Sequence, residues 1–133
     1  MNWRIAFLLI FVLLVGCNTV QSSQKPAEVQ ALEQYIQALV AKDEAAYSRL
    51  ICPAWEAEAF LEYDAYQGVK TDLKDITCQR TGSQNDIAKV VCQGKISLNY
   101  GNEKQEVDLS SRVYQLKPNA GSWQVCGFTP AGQ

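Results

Sequence analysis

Histidine is absent from the sequence, and with it go the serine–histidine nucleophiles, imidazole general bases and histidine metal sites on which many hydrolases depend. No glycine-rich phosphate loop occurs, and no serine stands in a nucleophile-elbow context. Among the five cysteines the spacings 26, 14 and 34 between Cys52, Cys78, Cys92 and Cys126 contain no C-x-x-C pair, which makes a zinc site the weaker reading. A calcium loop is likewise missing its ligand spacing. No cofactor or metal is therefore expected. The longest apolar run, Ile5 to Val15, is eleven residues, too short for a membrane-crossing helix of about 20.

That run, preceded by Met1-Asn2-Trp3-Arg4, has the length and flanking charge of a signal-peptide hydrophobic region. Arg4 and the amino terminus place positive charge on the cytoplasmic side. The stretch Leu14-Val15-Gly16-Cys17 that closes it resembles the lipobox of bacterial lipoproteins. The resemblance implies cleavage after residue 16, a diacylglycerol thioether on Cys17, and usually an acyl group on its new amino terminus. Several chains hold firmly where one binds reversibly. The expected localisation is the cell envelope, as a lipid-anchored protein facing away from the cytoplasm. Asn18 is not the aspartate that in enteric bacteria typically retains lipoproteins in the inner membrane, so the outer membrane is preferred where the cell has one.

Cleavage before Cys17 removes Arg4 and leaves 11 basic against 14 acidic side chains, net −3. Nucleic acid is an unsuitable partner, because binding it needs a basic face to release phosphate counterions. Residues 17–26 are polar apart from Val20 and read as a lipidated tether. Residues 27–133 form one domain's length of chain.

Four cysteines remain for disulfides in an exported domain, with three connectivities open. Leu73–Arg80 and Ile87–Gln93 flank the turn formers Thr81 to Asp86 and read as a β-hairpin centred near Gln84 or Asn85. Centring at Asn85 sets Cys78 opposite Cys92, at a Cα separation a disulfide tolerates. Cys52 with Cys126 follows by elimination and ties the helical half to the last strand.

Val29, Leu32, Ile36, Leu39 and Val40 recur at helical spacing with Tyr35 beside the stripe. Glu28, Glu33, Gln34, Gln37 and Lys42 fall on the other side. Pro26 suits the helix start. Asp43 can cap a second helix through Ala46, Tyr47 and Leu50. Pro53 opens a third, Ala54 to about Tyr63, carrying Trp55, Ala59, Phe60 and Tyr63, and Gly68 stops the helical half. Beyond it the period becomes two. Val90, Cys92, Ile96, Leu98 and Tyr100 share one face, with a bulge or bend expected at Gly94. Turns are expected at Gly101-Asn102 and Lys117–Gly121, and a bulge near Ser110-Ser111, where the apolar parity passes from Val107, Leu109 and Val113 to Tyr114 and Leu116. In the last strand Trp123, Val125 and Gly127 are expected on one face, Cys126 and Phe128 on the other. Three helices followed by four or five antiparallel strands make an α+β domain.

The lead helix Val29 to Leu50 with its Lys-Asp break, the register Ala38 to Asp43, and the terminal Trp123-Gln124-Val125-Cys126-Gly127-Phe128 resemble the nuclear transport factor 2-like, or cystatin-like cone, superfamily. The resemblance implies a curved antiparallel sheet wrapped around the lead helix, with a conical cavity used by some members as an enzyme site and by others for binding or dimerisation. Two functions follow from it. The preferred one is a binding or protein-interaction module taking a protein partner or a small apolar ligand. The alternative is a small isomerase or dehydratase using a tyrosine (Tyr35, Tyr47, Tyr63, Tyr66, Tyr100, Tyr114) and an acid such as Asp64, Asp75 or Asp108. Charge is also segregated: Ala27–Asp64 holds eight acids, including Glu56, Glu58, Glu62 and Asp64, against Lys42 and Arg49. Ala65–Gln133 holds six acids against eight bases. Such a split can orient a domain toward anionic head groups or a cationic partner.

Overall fold

The computed structural model describes residues 24–133. The expected signal peptide 1–16, the expected lipidation site Cys17 and most of the expected tether lie outside the described residues.

The lead helix α1 spans Ala27–Ala41. Pro26 precedes it in an extended conformation, and Lys42 ends it in the left-handed region at φ 59°. A non-glycine residue there costs about 1–2 kcal/mol. The structure holds Lys42 from both ends: its Nζ donates to Val69 O at 2.6 Å and Gln67 O at 3.2 Å, and its carbonyl accepts from Tyr63 Oη at 2.7 Å. Asp43 then caps α2, Glu44–Arg49, accepting from Ala46 N–H at 3.0 Å. A 3-10 turn Pro53–Trp55 leads into α3, Glu56–Gln67, which ends at Gly68. This helix runs a turn further than the apolar spacing suggests and so brings Tyr66 into the core.

Five antiparallel strands follow: β1 Lys70–Gln84, β2 Ile87–Asn99, β3 Lys104–Asp108, β4 Arg112–Asn119 and β5 Ser122–Pro130. They lie in the order β1-β2-β4-β5, with β3 also on β2. One edge of β2 thus pairs with β1 throughout, and its other edge is shared by β4 at Ala88–Val91 and β3 at Lys95–Asn99. Between β3 and β4 a 3-10 turn, Leu109–Ser111, is capped by Asp108. It provides the parity switch expected there: Leu109 is buried at its start, Tyr114 and Leu116 after it.

The first hairpin depends on two bulges. Asn85 and Asp86 both take positive φ, as a two-residue type I′-like connection requires. That turn pairs Gln84 with Ile87 and, left alone, would set Cys78 against Gln93. A register shift between Arg80 and Gly82 inserts Thr81, and Cys78 meets Cys92. Their Cα atoms are 4.0 Å apart and they are disulfide-bonded. Cys78 N–H turns outward, donating to Glu33 Oε1 at 3.3 Å, as in a non-hydrogen-bonded pair, the closer of the two antiparallel spacings. The second bulge confirms the irregularity at Gly94 but places the extra residue on the partner strand. Asp75 and Ile76 oppose Gly94, and a Cβ on Gly94 would stand 2.6 Å from Lys74 O.

Even-numbered residues of β2 from Ala88 to Leu98 face α1, except where Gly94 lacks a side chain, and with Val29, Leu32, Tyr35, Ile36 and Leu39 they form the core. Tyr100 does not continue that face; it lies past the strand end and is half exposed. The second disulfide joins Cys52 to Cys126. Beside it Cys52 N–H donates to Val125 O at 3.0 Å and Val125 N–H to Leu50 O at 2.7 Å, so the linker after α2 covers the free edge of β5.

Three further expectations are corrected. Phe128 shares the face of Val125, because a bulge between the pairs Tyr114–Phe128 and Leu116–Val125 adds a residue in β5. The last turn narrows to Ala120-Gly121, since Pro118 and Asn119 are still paired with Trp123 and Ser122. Glu28 and Glu33 do not face solvent. Glu28 is buried against Arg80 at 2.9 Å, and Glu33 reaches Lys25 as well as Cys78.

Candidate functional site

The helical layer and the last two strands contribute aromatics to one largely buried cluster. Tyr35 comes from α1, Tyr47 from α2, Trp55 from the 3-10 turn, Tyr63 and Tyr66 from α3, Tyr114 from β4 and Phe128 from β5. The Tyr35 and Tyr47 rings stack with centroids 4.7 Å apart, and Tyr47 stacks on Tyr63 at 5.1 Å. Phe128 contacts both Trp55 and Tyr114 with centroids at 5.6 Å. Their hydroxyls run in a directed chain. Tyr47 Oη donates to Ala59 O at 2.9 Å, which spends its one proton, so the 2.8 Å contact with Tyr35 Oη is donated by Tyr35.

At the edge of the cluster α3 and β4 bring Glu62 and Arg112 together. Arg112 Nη1 lies 2.6 Å from Glu62 Oε1 and 3.5 Å from Tyr114 Oη, and its guanidinium sits 4.2 Å above the Phe128 ring. Both side chains are largely buried, at 19% and 14% exposure. Burial works against the Arg112 charge, but Tyr114 and Glu62 beside it outweigh that and push its pKa up. Three buried polar atoms here have no protein partner: Glu62 Oε2, Tyr66 Oη and Trp55 Nε1.

Burial, followed by neighbouring hydroxyls and the Glu62 carboxylate, raises the pKa of Tyr35 far above the ordinary value. Tyr66 is raised by burial and then Glu62. Burial raises Tyr47 although its bond to Tyr35 pulls the other way, and raises Tyr114 although Arg112 opposes it. These hydroxyls are donors at neutral pH and do not serve as bases. What the cluster can present is a donor at Tyr66 and one free carboxylate oxygen, because the Trp55 N–H is turned toward the Tyr35 hydroxyl.

Of the residues singled out from the sequence, Tyr35, Tyr47, Tyr63, Tyr66 and Tyr114 are brought together, and Tyr100 is not. The aspartates go elsewhere. Asp64 is exposed on α3 and Asp75 lies exposed in the β1 bulge. Asp108 accepts from Ser110 N–H at 2.9 Å and Ser110 Oγ at 2.7 Å, and these bonds hold its carboxyl below the usual range. Glu56 and Glu58 are exposed, while Glu62 alone of the α3 acids turns inward. Arg112 carries the signal that could have found it: it shares the two-residue parity of Tyr114 and Leu116, so a strand that buries those two points Arg112 the same way.

Among the described residues no helix is long and apolar enough to cross a membrane. No protein-family model and no curated protein sequence matches the chain.

Proposed function

We propose that this chain is a lipid-anchored extracytoplasmic interaction module. In this reading residues 1–16 are the signal peptide, Cys17 carries the lipid, residues 17–26 are the tether, and residues 27–133 are a cystatin-like cone that meets a protein partner through its surface. The observation that carries it is the oxidation of every cysteine in the domain, Cys52 with Cys126 and Cys78 with Cys92. Disulfides persist outside the cytoplasm, and the pairing leaves Cys17 for lipid. Work through the surface is favoured because Tyr35, Tyr47 and Tyr114, the largest fully buried side chains, fill the space under the sheet where a ligand would sit.

Labelling cells with radioactive palmitate tests the anchor. The wild-type chain takes up label and fractionates with membranes. Cys17→Ala takes up none and accumulates unprocessed. Equal processing and membrane retention of both forms, with no label in either, defeats the reading.

A second reading has one observation in its favour. The unpartnered Tyr66 Oη and Glu62 Oε2 are a donor and an acceptor that a small ligand or an isomerase substrate would use, Tyr66 donating to an acceptor and the carboxylate taking a proton. Mass spectrometry of small molecules extracted from the purified native protein distinguishes the two: a stoichiometric ligand lost in Tyr66→Phe supports the cavity, and none supports the surface.

A further inference from the structure

The face of the sheet turned away from α1 carries a regular charge pattern at its β1-β2-β3 end. Across the three strands, Lys70, Asn99 and Lys104 make one row, Asp72, Ser97 and Glu106 the next, and Lys74, Lys95 and Asp108 the third. Ser97 is central and only 5% exposed, and its hydroxyl has no partner. It lines a hollow of about 180 Å³ with Lys70, Asp72, Lys74, Asn99 and Lys104.

The groups lining this hollow are mostly donors. Glu106 is engaged with Lys95 at 3.0 Å and lies 3.9 Å from Lys104. Among the described residues neither Lys70 nor Lys74 has an ion-pair partner. Asn99 accepts from Gly101 N–H at 2.9 Å through its side-chain oxygen, so its NH₂ group remains a donor. Three ammonium groups, a hydroxyl and an amide thus stand against one acceptor, Asp72. A hollow well below the roughly 300 Å³ of a drug-sized ligand site selects a compact occupant.

We propose that this hollow binds a compact, partly protonated oxyanion of the phosphate class, either free or as a monoester. Ser97, Asn99 and the lysines donate to its oxygens, and Asp72 accepts its remaining proton. A phosphate could also come from a lipid head group, but the position argues for a soluble ligand. Lys42 ties the C-terminal end of α1 to Gln67 and Val69, next to Lys70, whereas the tether joins α1 at its other end, a helix of 15 residues away, about 22 Å. The choice of source therefore rests on the anchored reading above, and the oxyanion site itself does not.

The test titrates inorganic phosphate into the full lipidated protein in neutral detergent, following amide resonances by NMR. Saturable shifts centred on Ser97 and Asn99 are expected. Lys70→Gln with Lys104→Gln weakens binding at least about tenfold, and Ser97→Ala several-fold with no loss of thermal stability. Lys89→Gln, on the same face outside the hollow, leaves it unchanged. No saturable shift, or equal weakening by Lys89→Gln, overturns the site. Binding to phosphatidylglycerol vesicles that depends on Lys70 and Lys104, without binding of inorganic phosphate, overturns the soluble ligand and assigns the hollow to a head group. Failure of lipidation at Cys17 in the same preparation removes the anchored reading and leaves the phosphate result standing.

Discussion

The β1–β2 hairpin and the β4–β5 hairpin each carry one disulfide and one ion pair from a helix glutamate to a strand arginine. The two sets differ in reach. Cys78–Cys92 links residues 14 apart that the hairpin already brings together, whereas Cys52–Cys126 links residues 74 apart and fixes the helical layer to the edge of the sheet. Arg80, which pairs with Glu28, is 43% exposed, whereas Arg112, which pairs with Glu62, is 19% exposed beneath an aromatic layer. The first half is therefore held by local pairing with fasteners added, and the second depends on fasteners between distant parts of the chain.

Removing the disulfides separates these roles most sharply. On the chain-entropy account, the 74-residue link contributes about 4.5 kcal/mol and the 14-residue link about 3. Urea unfolding should rank Cys52→Ala/Cys126→Ala below Cys78→Ala/Cys92→Ala. The reverse order would show that the linker after α2 holds to β5 without covalent help. Next comes the buried pair. Arg112→Leu leaves the Glu62 charge uncompensated and is expected to cost on the order of 3 kcal/mol. Glu62→Leu with Arg112→Leu should recover most of that loss, a coupling that a double-mutant cycle reads directly.

Alkaline pH probes the same half without mutation. Tyr35, Tyr47 and Tyr66 have folded-state pKa values raised above the ordinary value of 10.0. The unfolded chain therefore releases protons above pH 10 that the folded chain retains, and stability is full below pH 10 and falls as pH rises. The loss is about 1.4 kcal/mol per pH unit for each hydroxyl, or roughly 2 kcal/mol in all half a unit above pH 10. Tyrosinate absorbance of these residues should rise together with loss of circular dichroism. Absorbance rising first, with the fold intact, would mean that the aromatic layer is open to solvent.

Signals carried by one or two neighbouring residues were readable before the fold was known. Asp43 capping α2, Pro53 opening the next helical segment and Gly68 ending α3 each need only local backbone geometry, whereas the 3-10 form of that segment's first three residues was not foreseen. The Cys78–Cys92 pairing was legible for a less direct reason: the hairpin centre at Asn85 is right for the cysteines because Thr81 is bulged out, and nothing local marks Thr81 as the extra residue. Phe128 was assigned the wrong face by the same kind of event in β5. Glu28 and Glu62 read as solvent-facing acids because an amphipathic pattern cannot tell a charge in water from a charge whose partner arrives about 50 positions later, and Glu33 was misread because the Cys78 N–H it accepts from is equally remote in sequence. Much of the buried polar cluster was accordingly hidden: its tyrosines could be named, while the Glu62–Arg112 pair that organises its edge is a product of tertiary structure.

The smallest effect belongs to the other ion pair. Arg80 stands at the open end of α1, 43% exposed, while its partner Glu28 is buried in the first turn of the helix. Arg80→Ala removes a contact that water partly screens, and the remaining Glu28 charge is still favoured by the amino-terminal end of the helix dipole. The expected cost is about 1 kcal/mol, a third of that for Arg112→Leu, measured in the same urea series. A cost as large as that of Arg112 would mean that Glu28 cannot turn to solvent when unpaired. The β1–β2 hairpin would then depend on its distant contacts as strongly as the aromatic half does, and the contrast between the two regions would fail.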